Sequence, residues 1–392
     1  MTFPARSDVP LEPVASMAIR SSRVVLNDRV VAATVIVENG LIVAVDETST
    51  ASGVIDIGDD LLIPGLVELH TDHLEPHYSP RPKVLWNPFS AVFAYDAQIA
   101  SAGITTVFDS LRAGSDGDAV SAGSSLRLLG EAIERAKTTG LLRADHHTHL
   151  RCEVAAPDVV SSAAAYVDRF DVRLMSLMDH TPGQRQFRDE EKLKDYYRGK
   201  TGKSDDELNK IFDRRRELSS QYAGPHRRAL VDMAHDRSIA LASHDDTTIA
   251  HVEEAVLDRM QVAEFPTTLE AAQASHKAGL AVLMGAPNVV RGGSHSGNVS
   301  ARSLAEAGVL DILSSDYVPI SLIEGAFGLA DVEAIGFLPG AIRLVTANPA
   351  RATGMHDRGE IATGKRGDLV RVALVEGHPV VREVYRLGRR VS

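Results

Sequence analysis

The chain has 392 residues, 44% hydrophobic and 24% charged, which excludes a disordered or fibrous polymer and leaves room for one large domain or two to three ordinary ones. A net charge of −11 argues against general nucleic-acid binding, and the single cysteine, Cys152, excludes an internal disulfide. No apolar run nears the roughly 18 residues of a membrane span, and the opening MTFPARSDVPLEPVAS lacks the apolar core of a secretion signal, so a soluble cytoplasmic protein is the expectation.

In chain order, residues 1–16 read as a loose arm rich in proline and polar groups. Three β-type runs follow, MAIRSSRVVL, ATVIVENG and LIVAVDE, with turn residues Asn27-Asp28 and Asn39-Gly40 between them, which predicts hairpins of an antiparallel sheet. Two more such runs close the chain, GDLVRVALVEG and VVREVYRLG, linked through His378-Pro379. Residues 17–62 and 358–392 are therefore expected to form one small β-sandwich-like domain from both termini.

Between them, eight apolar runs alternate with helical stretches: LLIPGLVEL, TTVFDSL, LRADHHTHL, VRLMSLMDH, SIALASH, AEFPT, LAVLMGA and LDILSSD. Segments such as SSLRLLGEAIERAKTTG and TLEAAQASHKAG supply amphipathic helices. The pattern predicts an α/β fold, a (β/α)8 TIM-type barrel over residues 63–357, with a doubly wound open sheet as the alternative. Residues 184–228 are too long for an ordinary loop and read as a charged helical insertion. They hold thirteen Lys/Arg against nine Asp/Glu, a local excess of basic charge that could draw in a polyanion.

Nine of the fifteen histidines (70, 73, 77, 146, 147, 149, 180, 244 and 295) lie in five groups at or just past the ends of strand-like runs. Active-site groups of such barrels come from the C-terminal ends of the strands. His70 and Asp72 in GLVELHTDHLEPH are two apart, so on a strand both point to one face. In DHHTHLRCE, His147, His149 and Glu153 also share a face, and Glu153 has the chemistry of a bridge between two cations. Cys152 would point the other way, into packed core. His180, His244 and Asp316 end LMSLMDH, LASH and DILSSD. Taken singly, each is better explained as a structural residue; five strand ends carrying such groups are not. Imidazole nitrogen with carboxylate oxygen suits Zn²⁺, Mn²⁺ or Fe²⁺.

The order His-x-Asp, Glu, His, His, Asp on successive strand ends resembles the amidohydrolase superfamily of metal-dependent hydrolases. The tail TANPARATGMHDRGEIATGKRGDLV is similar to that superfamily's return from the last barrel helix into its small β-domain. Within it, ELHTDHLEPHYSPRP, HHTHLRCE, LMDHTPGQ, GAPNVVRGGSHSGN and SSDYVP resemble a subgroup that cleaves a phosphorylated ribose in phosphonate catabolism. The resemblance implies one or two divalent ions per chain, Zn²⁺ first and Mn²⁺ or Fe²⁺ after it, held by His70, Asp72, Glu153, His180, His244 and Asp316. It implies Asp316 as the catalytic base, and phosphate or leaving-group contacts from the glycine-rich Arg291, Ser294, His295 and Asn298. His147, His149 and, after the first ligand strand, Arg81 are further candidate substrate contacts. A small phosphorylated sugar is the expected partner, with no nucleic acid and no membrane, and a homo-oligomer is left open. A C–N bond hydrolase is the alternative activity. Two departures stand out: the superfamily opens His-x-His, and it places its two single histidines on strands five and six rather than four and five.

Overall fold

A computed structural model of the chain describes residues 16–48, 53–114, 122–187, 190–201, 204–293 and 297–392. The N-terminal strands are β1 (Ser16–Val25), β2 (Val30–Glu38), β3 (Leu41–Asp46), β4 (Ile55–Asp56) and β5 (Leu61–Pro64). Asn39 and Gly40 adopt left-handed backbone (φ 50° and 81°), the geometry a two-residue hairpin between β2 and β3 demands.

The barrel strands follow: β6 (Leu66–Thr71), β7 (Ile104–Ala113), β8 (Asp145–Glu153), β9 (Val172–Met178), β10 (Ala240–His244), β11 (Val262–Glu264), β12 (Ala281–Gly285) and β13 (Ile312–Ser314). Neighbours in sequence are neighbours in the sheet, and all pair in parallel. The sheet closes at its mouth, where Thr71 bridges Asp316 and the Asp316 N–H donates to the His70 carbonyl at 3.1 Å. Below that point residues 344–345 fill the seam: Val67 N–H donates to Val345 O and Leu313 N–H to Leu344 O, both at 2.9 Å. This closure excludes the open doubly wound sheet.

The chain ends in β14 (Leu369–Val375), β15 (His378–Arg386) and β16 (Arg389–Arg390). The turn between β14 and β15 lies at Glu376-Gly377 (φ 52° and 84°), not at His378-Pro379, which already belong to β15. The terminal sheet has the order β16-β15-β14-β5-β1-β2-β3, with β4 also on β1. It is mixed rather than purely antiparallel, because β1 pairs in parallel with β4 and β5. Both termini meet in one sheet through the antiparallel β5–β14 pair.

Val67, Leu69, Phe108, Leu174, Ala242, Val262, Leu283 and Ile312 form a separate buried cluster drawn from seven of the barrel strands, the filling of the barrel's interior. A larger cluster packs strands against helices. Residues 184–228 do not form a detached insertion. A 3-10 turn (Arg185–Phe187) and a helix (Glu190–Thr201) precede a 32-residue helix, Asp205–Asp236, that Ser204 and Glu207 open with a capping box. Its last turns bury Leu230, Val231 and Ala234 against the barrel, so the charged segment runs straight into the helix that returns to β10. Among the described residues, no helix is long and apolar enough to cross a membrane.

Candidate metal centre

The mouth of the barrel is built strand by strand. On β6, Val67 and Leu69 point inward, so strict alternation would turn His70 toward the helices. Pairing with β7 slips between Glu68 and Thr71, where one extra residue enters β6, and His70 lines the cavity instead. Glu68 pins this bulge: one carboxylate oxygen accepts from His70 N–H at 2.6 Å, the other from Ser315 N–H at 2.5 Å. Burial pushes the Glu68 carboxyl up to about 8.

β8 contributes His149, Arg151 and Glu153 on one face. His149 Nδ1 donates to the Leu69 carbonyl at 2.9 Å, which leaves Nε2 for Ser176 Oγ (2.9 Å) and Glu264 (3.7 Å). Glu264, at the end of β11, spans the cavity floor. Its Oε1 lies 3.1 Å from His70 Nδ1 and its Oε2 3.1 Å from His244 Nδ1. His180 stands against His244 with ring centroids 5.6 Å apart, and Asp245 lies 3.6 Å from His244 Nε2.

Two groups of three donors result, His70–His149–Glu264 and His180–His244–Asp245, each gathered within 4.8 Å. Burial holds the His149 and His244 imidazoles down at about 3 and His70 well below its usual value, so all three are neutral, the form that binds metal. Burial opposes ionisation of Glu264, but His149, His244 and Arg151 outweigh it and hold its carboxyl below the usual range. Neutral imidazoles with buried carboxylates fit one or two divalent ions of the zinc class.

Asp316 faces the same cavity, its carboxyl pushed up to about 6 by burial and the nearby Asp72 charge. Burial raises Asp245 to about 7. Three strand ends turn away through left-handed residues immediately after or within these groups: Asp245 (φ 57°), Phe265 (φ 53°) and Asp316 (φ 54°). The Phe265 ring closes the floor edge-on against His70 and His244, at 4.9 and 5.5 Å.

The structure sorts the sequence-predicted residues. His70, His180 and His244 are brought together, and His149 joins them as a candidate ligand rather than a substrate contact. The spanning position expected of Glu153 belongs to Glu264. Glu153 instead accepts from His180 N–H (3.1 Å), His180 Nδ1 (2.6 Å) and Arg112 (3.2 Å) and sits in neither donor group. Asp72 lies just past β6, also outside both groups, and meets the site through its charge on Asp316.

His147 shares the face of His149 but lies one pleat deeper, about 6.6 Å down the strand, beside Asp145, Asp171 and Phe108 rather than the cavity. Arg81 is exposed in the loop after β6 and does not line the cavity, whereas Arg291 and Asn298 do. Ser294 and His295 lie outside the described residues.

Sequence reasoning missed Arg151, Asp245 and Glu264. Arg151 was within reach, because the odd-numbered face that carries 147, 149 and 153 also carries 151. Glu264 ends a strand of three residues, too short for a period to register.

A model of the amidohydrolase family matches residues 61–391. The alpha-D-ribose 1-methylphosphonate 5-triphosphate diphosphatase of Escherichia coli (strain K12) is 45% identical over 377 residues, 96% of this chain and 100% of that protein. Among solved structures, N-acetyl-D-glucosamine-6-phosphate deacetylase from Mycobacterium smegmatis aligns with TM-score 0.64 and 15% identity over 96% of this chain and 100% of that one. N-isopropylammelide isopropylaminohydrolase from Burkholderia multivorans aligns with TM-score 0.63 and 17% identity over 96% and 98%. These two share the fold, a barrel with a terminal β-sheet. With the donor groups at the mouth of that barrel and a family match running from β5 to the last strand, the chain belongs to the amidohydrolase family of metal-dependent hydrolases.

Proposed function

We propose that the chain hydrolyses α-D-ribose 1-methylphosphonate 5-triphosphate at the α-phosphorus, giving the 5-phosphate and pyrophosphate, in the phosphonate catabolism of the cytoplasm. The observation that carries this reading is a carboxylate, Glu264, between two histidine groups in a cavity that also presents Arg151, Arg291 and Asn298. The relative that is 45% identical carries that activity in its name.

In this reading His70, His149 and Glu264 hold one divalent ion and His180, His244 and Asp245 a second, with Zn²⁺ the first choice for the imidazole-rich set. Bound there, the metal supplies Lewis acidity and an activated water. Asp316 orients that water and takes its proton. A carboxyl at about 6 is ionised at neutral pH yet more basic than an exposed aspartate, the tuning general-base work requires. As the oxygen–phosphorus bond forms, the bond to the pyrophosphate oxygen breaks and charge moves onto the leaving group. Arg291 and Asn298 donate hydrogen bonds to it from the cavity rim. Glu153 braces His180 through its ring and its backbone N–H.

Turnover in ¹⁸O-labelled water tests the reading. The label should enter the sugar 5-phosphate and leave pyrophosphate unlabelled. Release of orthophosphate, or label in the pyrophosphate, would place attack elsewhere on the triphosphate. A C–N hydrolase would give neither product.

A further inference from the structure

Arg151 stands on β8 two residues beyond His149 and two before Glu153, and its side chain lines the cavity. Its Nε is shut off from solvent with no acceptor, and the guanidinium makes no hydrogen bond or ion pair to any described residue. Enclosed arginines elsewhere have partners: Arg185 pairs with Asp246 at 2.7 Å, Arg358 and Arg366 with Asp145 at 2.7 and 2.9 Å, and Arg386 donates to the Leu142 and Ala144 carbonyls. Desolvating a guanidinium without a counter-charge is costly, so the cation at the mouth calls for an anionic ligand.

Its position says where that anion sits. Arg151 lines one cavity with His70, His180, His244, Asp245 and Asp316, and its charge acts on His149 and Glu264 as well. A group held by this fork therefore lies beside both donor groups and the base at once. Arg291, exposed on the rim, reaches only the outer part of a ligand.

We infer that Arg151 receives the scissile phosphoryl group, donating two hydrogen bonds from its planar fork to two non-bridging oxygens of the phosphorus under attack. The assignment rests on the phosphoanhydride reading of this cavity and deepens it. A guanidinium fork matches the tetrahedral oxygens of phosphate, and it gains strength as their charge grows in the transition state. A neutral amide substrate would leave Arg151 unpaired, so the same residue selects phosphoryl over carbonyl substrates.

The test compares wild type, Arg151→Gln and Arg151→Lys in two measurements. The first is calorimetric binding of ribose 5-phosphate, whose phosphoryl is the one the scissile group becomes, to metal-stripped protein. The second is metal content and steady-state kinetics on the ribose triphosphate. Arg151→Gln should bind ribose 5-phosphate at least about tenfold more weakly, and lose about 10²-fold or more in kcat with a smaller change in KM. Arg151→Lys, which keeps the charge and the fold, should recover part of the binding but remain about tenfold or more down in kcat, because an ammonium lacks the fork.

Wild-type ribose 5-phosphate affinity in either folded variant would overturn the inference. So would loss of bound metal from Arg151→Lys, which would make Arg151 a structural counter-charge. If wild type binds ribose 5-phosphate through Arg151 yet turns over no ribose triphosphate, Arg151 stands as a phosphate receptor and the proposed substrate alone fails.

Discussion

The two ends of β8 handle charge in opposite ways. At its start, Asp145 accepts from Arg358 and Arg366, and His147 lies 3.7 Å from Asp145 and 3.6 Å from Asp171. Burial there would raise the Asp145 carboxyl, but His147 and the two arginines outweigh it and hold it well below the carboxylate range. Behind it, His146 sits between Asp109 (3.0 Å) and Asp96 (3.2 Å), and these carboxylates overcome burial to raise its imidazole to about 10. At the other end, Asp316, Asp245 and Glu68 are pushed up to about 6, 7 and 8 by burial, and Arg151 forms no ion pair with a carboxylate among the described residues. The barrel floor neutralises its ionisable groups in pairs and gains stability; at the mouth Glu153 and Glu264 are paired, but Arg151 and Asp316 have no side-chain partner among the described residues, as a ligand-binding surface requires.

The sharpest way to break this contrast is at Asp316. Asp316→Asn should keep its metal and lose about 10²–10⁴-fold in kcat, since the change removes a base and not a donor group. Metal analysis beside kinetics decides it, and normal turnover would move the base elsewhere. Glu264→Gln should come next, weakening metal affinity about 10–100-fold and lowering activity in step, with excess Zn²⁺ restoring part of it. Retention of full metal under competition with a chelator would return the spanning role to Glu153.

The floor answers to pH instead. Because the folded imidazole of His146 titrates near 10 rather than 6.5, its stabilisation is complete below pH 6.5 and is lost as pH rises toward 10. Thermal unfolding followed from pH 6 to 10 should show that decline, and His146→Gln should flatten it while costing about 3 kcal/mol near neutrality. An unchanged pH profile in the variant would mean that other groups carry the alkaline limb. The smallest effect belongs to Arg81→Ala, where an exposed side chain off the cavity should change KM by no more than about twofold.

Much of this was legible before any coordinates. Eight apolar runs each ended near a polar group, and each holds a barrel strand, the first shared with β5 of the terminal sheet, because a parallel strand buried on both faces reads as a continuous apolar stretch. Single histidines after such runs stood out for the same reason. What stayed hidden depends on register. His147 and His149 are equivalent in a period of two, and only depth along β8 separates a floor residue from a cavity residue. The bulge that turns His70 inward is a pairing slip with β7, a relation between distant segments that no local pattern encodes. Arg151 carries no signal in the sequence because its lack of a partner becomes visible only when its surroundings are in place.

The left-handed backbone at Asp316 constrains the mutational paths open to this position. A φ of 54° is costly for most side chains and tolerable for aspartate, asparagine and glycine. The same residue's N–H closes the barrel on the His70 carbonyl. Drift at 316 toward glutamate, the obvious substitute base, would strain the joint between the first and last strands and misplace the carboxylate together. Only asparagine and glycine keep the joint, and both remove the carboxyl proposed as the base. Position 316 therefore has no neutral intermediate through which a different base could be reached by single substitutions, and a new chemistry on this scaffold would have to recruit its proton acceptor from another strand.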